Sequence, residues 1–314
     1  MKQLIKNIVM LVISAIGIIA FFILWPKFNP SAAKIISTNF VGYDFARAVT
    51  GDAERVKMLI KPGTELHSYE PSPQDIVAIQ DAELFIYNGG ESDEWVERVL
   101  KDNNIPESKT LRLMDYVDLK TEEAKEGMEA EEEGAEEEEE YDEHVWTSPK
   151  NAMKLIDAIC DKLASIHSDE SEKFHENAHN YNERLKDIDE NFRSVVEAAP
   201  RKELIFGDRF PFRYFVDEYG LDYYAAFPGC SDQTEASSST VAFLVDKVKS
   251  TGAKAVFKIE LTNGQLAKNI ADESGAKVYE LNAAHNISEE EYTSGRTYAD
   301  IMEKNVDTLK EALY

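Results

Sequence analysis

From residue 34 onward the hydrophobic pattern keeps changing period. Short apolar runs such as KIISTNF (34–40), RVKMLI (55–60), ELFIYNGG (83–90) and TLRLMD (110–115) read as strands. Between them lie stretches with helical spacing: YDFARAVTG, ending at Gly51, then QDIVAIQDA and DEWVERVLKDN. After residue 200 the alternation returns. KELIFGD, DYYAAFP, AKAVFKIE and AKVYELN read as strands, and FRYFVDEYG, STVAFLVDKVKSTG, GQLAKNIADESG and TYADIMEKNVDTLKEALY as helices. Strands that alternate with helices of about ten residues predict parallel sheets of the α/β class.

The middle of the chain differs. Residues 149–200 hold no glycine and no internal proline. NAMKLIDAICDKLASI places apolar residues at i, i+3, i+4 and i+7, the face of a packed helix. The stretch that follows opens on Asp169 with Glu172 three residues on, a capping-box spacing, and runs to about Ala199. At 1.5 Å per residue its roughly 30 residues span about 45 Å, too long for a routine crossover. The architecture expected is two parallel-sheet α/β lobes joined by one long rigid linker helix. The boundaries expected are an N-terminal segment 1–33, a lobe 34–167, a linker helix 168–200 and a lobe 201–314.

Two segments break this pattern. Residues 8–25 are uncharged and mostly apolar, with Lys2 and Lys6 before them. Eighteen such residues approach a bilayer span, and the lysines orient the remainder outward. An uncleaved anchor is expected, with cleavage after Ala33 as the alternative; the segment has no cysteine to carry a lipid. Either way, the lobes face an extracytoplasmic space at the cell membrane. The second break is an acidic insert, 120–143, almost without apolar residues, read as a mobile loop that buries almost nothing. Fourteen acids and one lysine between 122 and 143 carry −13 of the chain's formal −26. Such a balance argues against a nucleic-acid partner and suits a cation. Cys160 and Cys230, the two cysteines, read as buried free thiols or as a disulfide.

Two histidines stand out. His67 sits past a strand end in PGTELHSYEPSP, a loop whose prolines restrict its geometry. His144 ends the acidic run in EHVWTSPKNA, where Trp146 is expected to pack beneath it and Ser148-Pro149 read as a helix cap and first turn. Loops at the carboxyl ends of strands are where open α/β sheets bind ligands. A neutral imidazole there suits a divalent transition metal, although each histidine alone could be an ordinary loop residue.

KPGTELHSYEPSPQDI, DAELFIYNGGESDEW, DEHVWTSPKNA, RYFVDEYGL, PGCSDQTEASS and ESGAKVYEL together resemble the metal-binding solute receptors of zinc and manganese ABC importers. The resemblance runs from about residue 34 to 314 in consistent order. It implies one metal ion in the cleft between the lobes, with His67 and His144 as ligands from the N-terminal lobe. It also implies a variable His- or acid-rich loop before the second histidine, where this chain has glutamates.

The sequence departs from the family pattern in the C-terminal lobe. Where the family carries a third histidine or a glutamate, Arg209 stands, and it cannot ligate a metal. Where an aspartate is usual, Asn282 stands, with His285 three residues on. His285 is the expected C-lobe ligand, with Asp208 and Glu235 as weaker candidates and Arg209 paired to an acid such as Glu260. His175 and His179 share a helix face, and HENAH matches the spacing of a zinc-hydrolase motif, but its surroundings are polar. The reading is a non-enzymatic, monomeric receptor for Zn²⁺, with Mn²⁺ second, serving an ABC permease. A zinc hydrolase and a surface adhesin are the alternatives.

Overall fold

The computed structural model describes residues 34–67, 69–129, 140–231 and 235–314. The apolar N-terminal stretch and the glutamates of 130–139 lie outside the described residues. No helix among the described residues is long and apolar enough to cross a membrane.

The first sheet is built from β1 (Ile35–Ser37), β2 (Val56–Met58), β3 (Leu84–Tyr87) and β4 (Thr110–Arg112), with α1 (Phe40–Thr50), α2 (Pro73–Asp81) and α3 (Glu94–Asp102) between them. All its pairings are parallel, in the order β2-β1-β3-β4. Two helices follow, α4 (Pro149–Ile166) and α5 (Ser171–Ala198). The second sheet repeats the first order as β6-β5-β7-β8, again parallel. Its strands are β5 (Glu203–Arg209), β6 (Asp222–Phe227), β7 (Ala255–Lys258) and β8 (Lys277–Glu280). The helices of this lobe are α6 (Arg213–Tyr219), α7 (Ser238–Thr251), α8 (Gln265–Ser274), α9 (Glu289–Ser294) and α10 (Tyr298–Leu313). The two-lobed α/β expectation therefore holds.

Local chemistry explains most boundaries. Asn39 caps α1 by accepting from the Gly42 N–H at 3.0 Å, and Gly51 ends it with a left-handed φ of 67°. Ser72 and Asp75 form a reciprocal capping box on α2, with Pro73 in its first turn. Ser148 and Pro149 open α4 as their sequence predicts. The expected cap at Asp169 does not form. Helix α5 starts at Ser171, and the carboxylate of the preceding Glu170 accepts two hydrogen bonds of 2.9 Å from Arg55. Helix α9 was not predicted; six residues are too few for a periodic pattern.

Helix α5 has 28 residues, about 42 Å of axis, and packs against α1 of one lobe and α10 of the other. A buried carboxylate ties these three helices together. Asp44 of α1 accepts from the Tyr181 hydroxyl of α5 at 2.6 Å and from the Tyr298 N–H of α10 at 2.8 Å, and pairs with Arg47 at 2.6 Å. Arg47 in turn donates to the carbonyl of Arg296 at 2.5 Å.

The acidic insert does not behave as expected at its described ends. Thr121 and Tyr141 form an antiparallel bridge that closes its base. Beyond it the chain crosses to the second lobe and lies along edge strand β6, where the Glu129 N–H donates to the Ala226 carbonyl at 2.9 Å. Glu123 pairs with Arg213 at 2.8 Å, and Lys125 pairs with Asp222 while sitting 4.2 Å above the Tyr223 ring. Glu122 accepts from the N–H groups of Gly229 and Cys230 at 2.5 and 3.3 Å, while Asp142 and Glu143 are fully buried. Charge pairing, an open strand edge and the packing of Met128 on the main core order this polar segment.

Replacing Asp44 by alanine should cost about 3–5 kcal/mol of unfolding free energy, because it strands the Arg47 charge and two donors in the interior. Urea denaturation measures this. A loss under about 1 kcal/mol would show that the three-helix tie does not hold the lobes.

Candidate metal centre

The residues of interest lie at or past the carboxyl ends of strands, except Asp142, Glu143 and His144, which close the acidic insert ahead of α4. Loop 59–72 after β2 carries Glu65 and His67, and the turn after β3 carries Asn88, Gly89 and Gly90. From the other lobe come Asp208 and Arg209 at the end of β5, the 228–231 turn after β6, Glu260 after β7 and His285 after β8. Two sheets with the same strand order thus present the same edge to one cleft.

His67, Glu143, His144 and Cys230 form the tightest set. One donor atom from each lies within 4.8 Å of every other. Both ring nitrogens of His67, Nε2 of His144 and Oε1 of Glu143 are buried without a hydrogen-bond partner. Buried polar atoms ordinarily find partners, so unpartnered atoms on three residues whose donors lie within 4.8 Å of one another mark a place suited to a cation. His285 stands beside this set, its ring centroid 4.5 Å from that of His144 and 6.3 Å from that of His67.

Two of the three cleft histidines, His144 and His285, are aimed from behind. Asp142 Oδ1 lies 3.1 Å from His144 Nδ1 and also accepts the His144 N–H at 2.8 Å. Glu260 Oε1 repeats the device on His285, at 3.2 Å from Nδ1 and 2.9 Å from the backbone N–H. A carboxylate on Nδ1 puts the proton there and leaves Nε2 free toward the cleft, as in histidine ligands of metals. Trp146 meets both rings edge-on, 5.6 Å from His144 and 6.0 Å from His285. Glu143 is set by the Ser92 N–H at 2.9 Å, and its own carbonyl accepts from the Asn88 side chain at 2.8 Å. Gly90 makes room for it: with φ at 85°, a side-chain Cβ there would come within 2.5 Å of Glu143 Cβ.

Electrostatics divide the groups into two kinds. Burial, with His144 and His285 close by, depresses His67 to about 3, so its imidazole is neutral at physiological pH. Burial pushes Glu143 up to about 7, and burial with Asp142 nearby does the same to Glu122. Carboxyls that resist ionisation in the protein alone are poised to ionise beside a cation.

The remaining candidates are accounted for. Asp208 is engaged, accepting from Thr262 Oγ1 at 2.7 Å and the Ile259 N–H at 3.2 Å. With Glu235 it lines a cavity of about 930 Å³ that opens from His67 along the second lobe. Arg209 does not pair with Glu260, because His285 and two backbone N–H groups already occupy that carboxylate. It pairs instead with Glu65 across the cleft at 3.0 Å. Burial works to raise Glu65, but the Arg209 hydrogen bond and charge hold it down at about 2. His175 lies outside the cleft, its Nδ1 3.2 Å from Cys160 Sγ. Cys160 and Cys230 are free and buried. Glu143 and Cys230 escaped the sequence reading: Glu143 is hidden among fourteen acids, and Cys230 follows a glycine turn whose direction no periodicity reveals.

Comparison with known proteins fits this geometry. The profile described as zinc-uptake complex component A, periplasmic, matches residues 35–312. The chain belongs to this family. Among zinc-uptake relatives, the high-affinity zinc uptake system protein ZnuA of Bacillus subtilis is 32% identical over 284 residues, covering 89% of this chain and 87% of that protein. The zinc-binding lipoprotein AdcA of Streptococcus pneumoniae is 33% identical over 280 residues, covering 88% of this chain; the match spans only 55% of the length of AdcA. The zinc-bound ZnuA-like domain of that AdcA superposes with a TM-score of 0.72 at 31% identity, covering 89% of this chain and 98% of the domain. The metal-dependent lipoprotein YcdH of Bacillus subtilis gives 0.74 at 31% identity, covering 89% and 99%. A manganese-bound periplasmic protein of Candidatus Liberibacter asiaticus, at 21% identity and a TM-score of 0.73, shares the fold and covers 89% of this chain and 99% of its own.

His67 also leaves a mark on stability. Its folded pKa of about 3 lies below the ordinary 6.5, so the unfolded chain takes up this proton first as pH falls. The metal-free protein should lose stability on this account from about pH 6.5 downward. In the His67→Gln variant the melting temperature should fall less steeply between pH 6.5 and 4.5, measured by circular dichroism with a chelator present. Parallel slopes would mean that His67 titrates as an exposed histidine.

Proposed function

We propose that this chain is an extracytoplasmic receptor that binds one Zn²⁺ ion between its lobes and hands it to the permease of an ABC importer. One observation carries the reading. Buried, unpartnered donors of His67, His144 and Glu143 face one point in the cleft, with His285 beside them. His67, His144 and His285 are the proposed imidazole ligands, and Glu143 is the proposed carboxylate from the first lobe. Three imidazoles favour zinc over manganese, which prefers oxygen donors. The zinc-binding and zinc-uptake names of the relatives support the same ion. The role is carriage and not catalysis: of the HENAH pair, His175 is turned to Cys160 of α4, and neither histidine belongs to the grouped donors of the cleft. The apolar residues 8–25 would hold the receptor at the outer face of the membrane.

Mass spectrometry of untagged protein should find one zinc per chain. His67→Ala and His144→Ala should each weaken Zn²⁺ binding by orders of magnitude, measured by competition with a chelator, while His175→Ala and His179→Ala should not. Unchanged affinity in both cleft variants would remove the site.

The glutamates of 130–139 carry seven charges and, in this reading, raise the local concentration of cations. Removing those ten residues alone leaves the tethered ends of the insert in place. Stopped-flow capture of Zn²⁺ should then slow at low ionic strength. The difference should fade toward physiological salt, where screening acts within about 8–10 Å. Equal rates at low salt would reduce the run to a solubility device.

A further inference from the structure

We propose that Cys230 is a direct ligand of the transported metal, and that its sulfur adds to the imidazoles' bias of this site toward zinc-like ions and against manganese. The inference rests on the receptor reading above and adds a donor that the sequence resemblance does not supply. Cys230 Sγ belongs to the set of four donor atoms that all lie within 4.8 Å of one another. The other three members are donors of His67, Glu143 and His144; the side chains of the last two are fully buried, and each has an unpartnered atom in this cleft. A thiol among apolar neighbours would be ordinary packing. A thiol within 4.8 Å of three orphaned polar donors is placed as a further ligand beside those already proposed.

The 228–231 turn is held so that this sulfur faces inward. Glu122 accepts from the N–H groups of Gly229 and Cys230. The Ser231 carbonyl accepts from Arg209 at 3.4 Å. Gly229 lies against the His144 ring, where a Cβ would come 3.2 Å from Cε1. The turn is therefore fixed against the acidic insert on one side and a first-lobe histidine on the other. A disulfide does not compete for the sulfur, since the other cysteine, Cys160, packs on α4 beside His175.

The chemistry explains how Arg209 is tolerated. Where the resemblance leads one to expect a histidine or glutamate ligand, this chain has a fixed cation turned away to Glu65. Cys230 supplies a donor from the same lobe. Without a metal, burial and the carboxylates of Glu143, Glu122 and Asp142 keep the thiol protonated. As the sulfur–metal bond forms, the S–H bond breaks and its proton leaves to solvent, because a bound cation inverts the local preference. Thiolate is a soft donor. It suits Zn²⁺ or Cd²⁺, and it suits Mn²⁺ poorly.

Cobalt(II) tests this directly, because a thiolate ligand gives a near-ultraviolet sulfur-to-cobalt charge-transfer band in addition to the visible bands of the bound ion. The full chain loaded with Co²⁺ should show the charge-transfer band. Cys230→Ser should lose it while keeping the visible bands. Its Zn²⁺-to-Mn²⁺ affinity ratio should drop by at least the roughly 10–100-fold that loss of a group merely orienting a ligand costs. With two cysteines in the chain, Cys160→Ser is a second arm that does not depend on how the Cys230 variant folds: a band kept there has Cys230 as its source. Bound cobalt without the band in Cys160→Ser would overturn the proposal and leave the receptor reading intact. Failure of the native chain to bind cobalt or zinc at all would overturn both.

Discussion

The site exists only because two loops from different lobes are held in register by the buried Trp146. Its indole N–H donates to the Ala283 carbonyl at 2.7 Å, and its own carbonyl accepts from the Tyr298 hydroxyl at 2.6 Å. Ala283 is two residues from His285, and Trp146 is two from His144. Two hydrogen bonds to one fully buried residue therefore fix the separation of two imidazoles that belong to different sheets. The wider frame repeats the theme, since Asp44 joins α1, α5 and α10 through a carboxylate with no access to water. Both ties are polar. Leaving either half made would cost the desolvation of its partners, so these contacts specify one relative placement of the lobes more sharply than apolar packing alone.

That constraint explains how so few polar groups position the donors. Asp142 and Glu260 each grip a histidine twice, once at the ring and once at its own backbone N–H. The ring cannot turn without breaking a bond that also holds the chain. Asp142 is anchored in turn through its carbonyl by the Tyr214 hydroxyl at 2.8 Å, so a first-lobe histidine is braced by a second-lobe helix. Glu65 and Arg209 bridge the cleft at its open side, where the pair is partly solvated and correspondingly weak. Strong ties lie at the back of the cleft and a weak one at the front, the distribution expected where a cation must enter and leave.

Much of the fold was legible because it is built from local rules. Eight short strands, the cap at Ser148 and the long α5 follow from periodicity, proline and side-chain capping, whereas the caps at Asn39 and Ser72 emerge only in the structure. The cleft was partly legible: His67 and His144 stand in loops after strands, and the structure brings them and His285 together as the sequence suggested. Three features were not legible for a common reason. Cys230 facing the histidines and Arg209 pairing with Glu65 depend on how one lobe sits on the other, and Glu143 as a cleft donor depends on its tertiary contacts with Ser92 and Asn88. No local pattern encodes that. The Arg209 partner was misread because Glu260 is close in kind, and only the second lobe's own backbone shows that its oxygens are already taken.

The acidic insert shows where compositional reasoning stops. A run of glutamates without apolar residues reads as solvated chain, and by burial of carbon alone it should be. Yet its first carboxylate, Glu122, is the brace of the 228–231 turn, and its last, Glu143, lies in the cleft. The residues between 122 and 129 find an exposed strand edge and the cations Arg213 and Lys247. Net charge therefore misdescribes the segment, because its described ends are structural. The run stops at a histidine because its final residues belong to the site. Asp142 orients the His144 ring and Glu143 faces the same point from one residue away, so a change in length at this end would displace carboxylate and imidazole together.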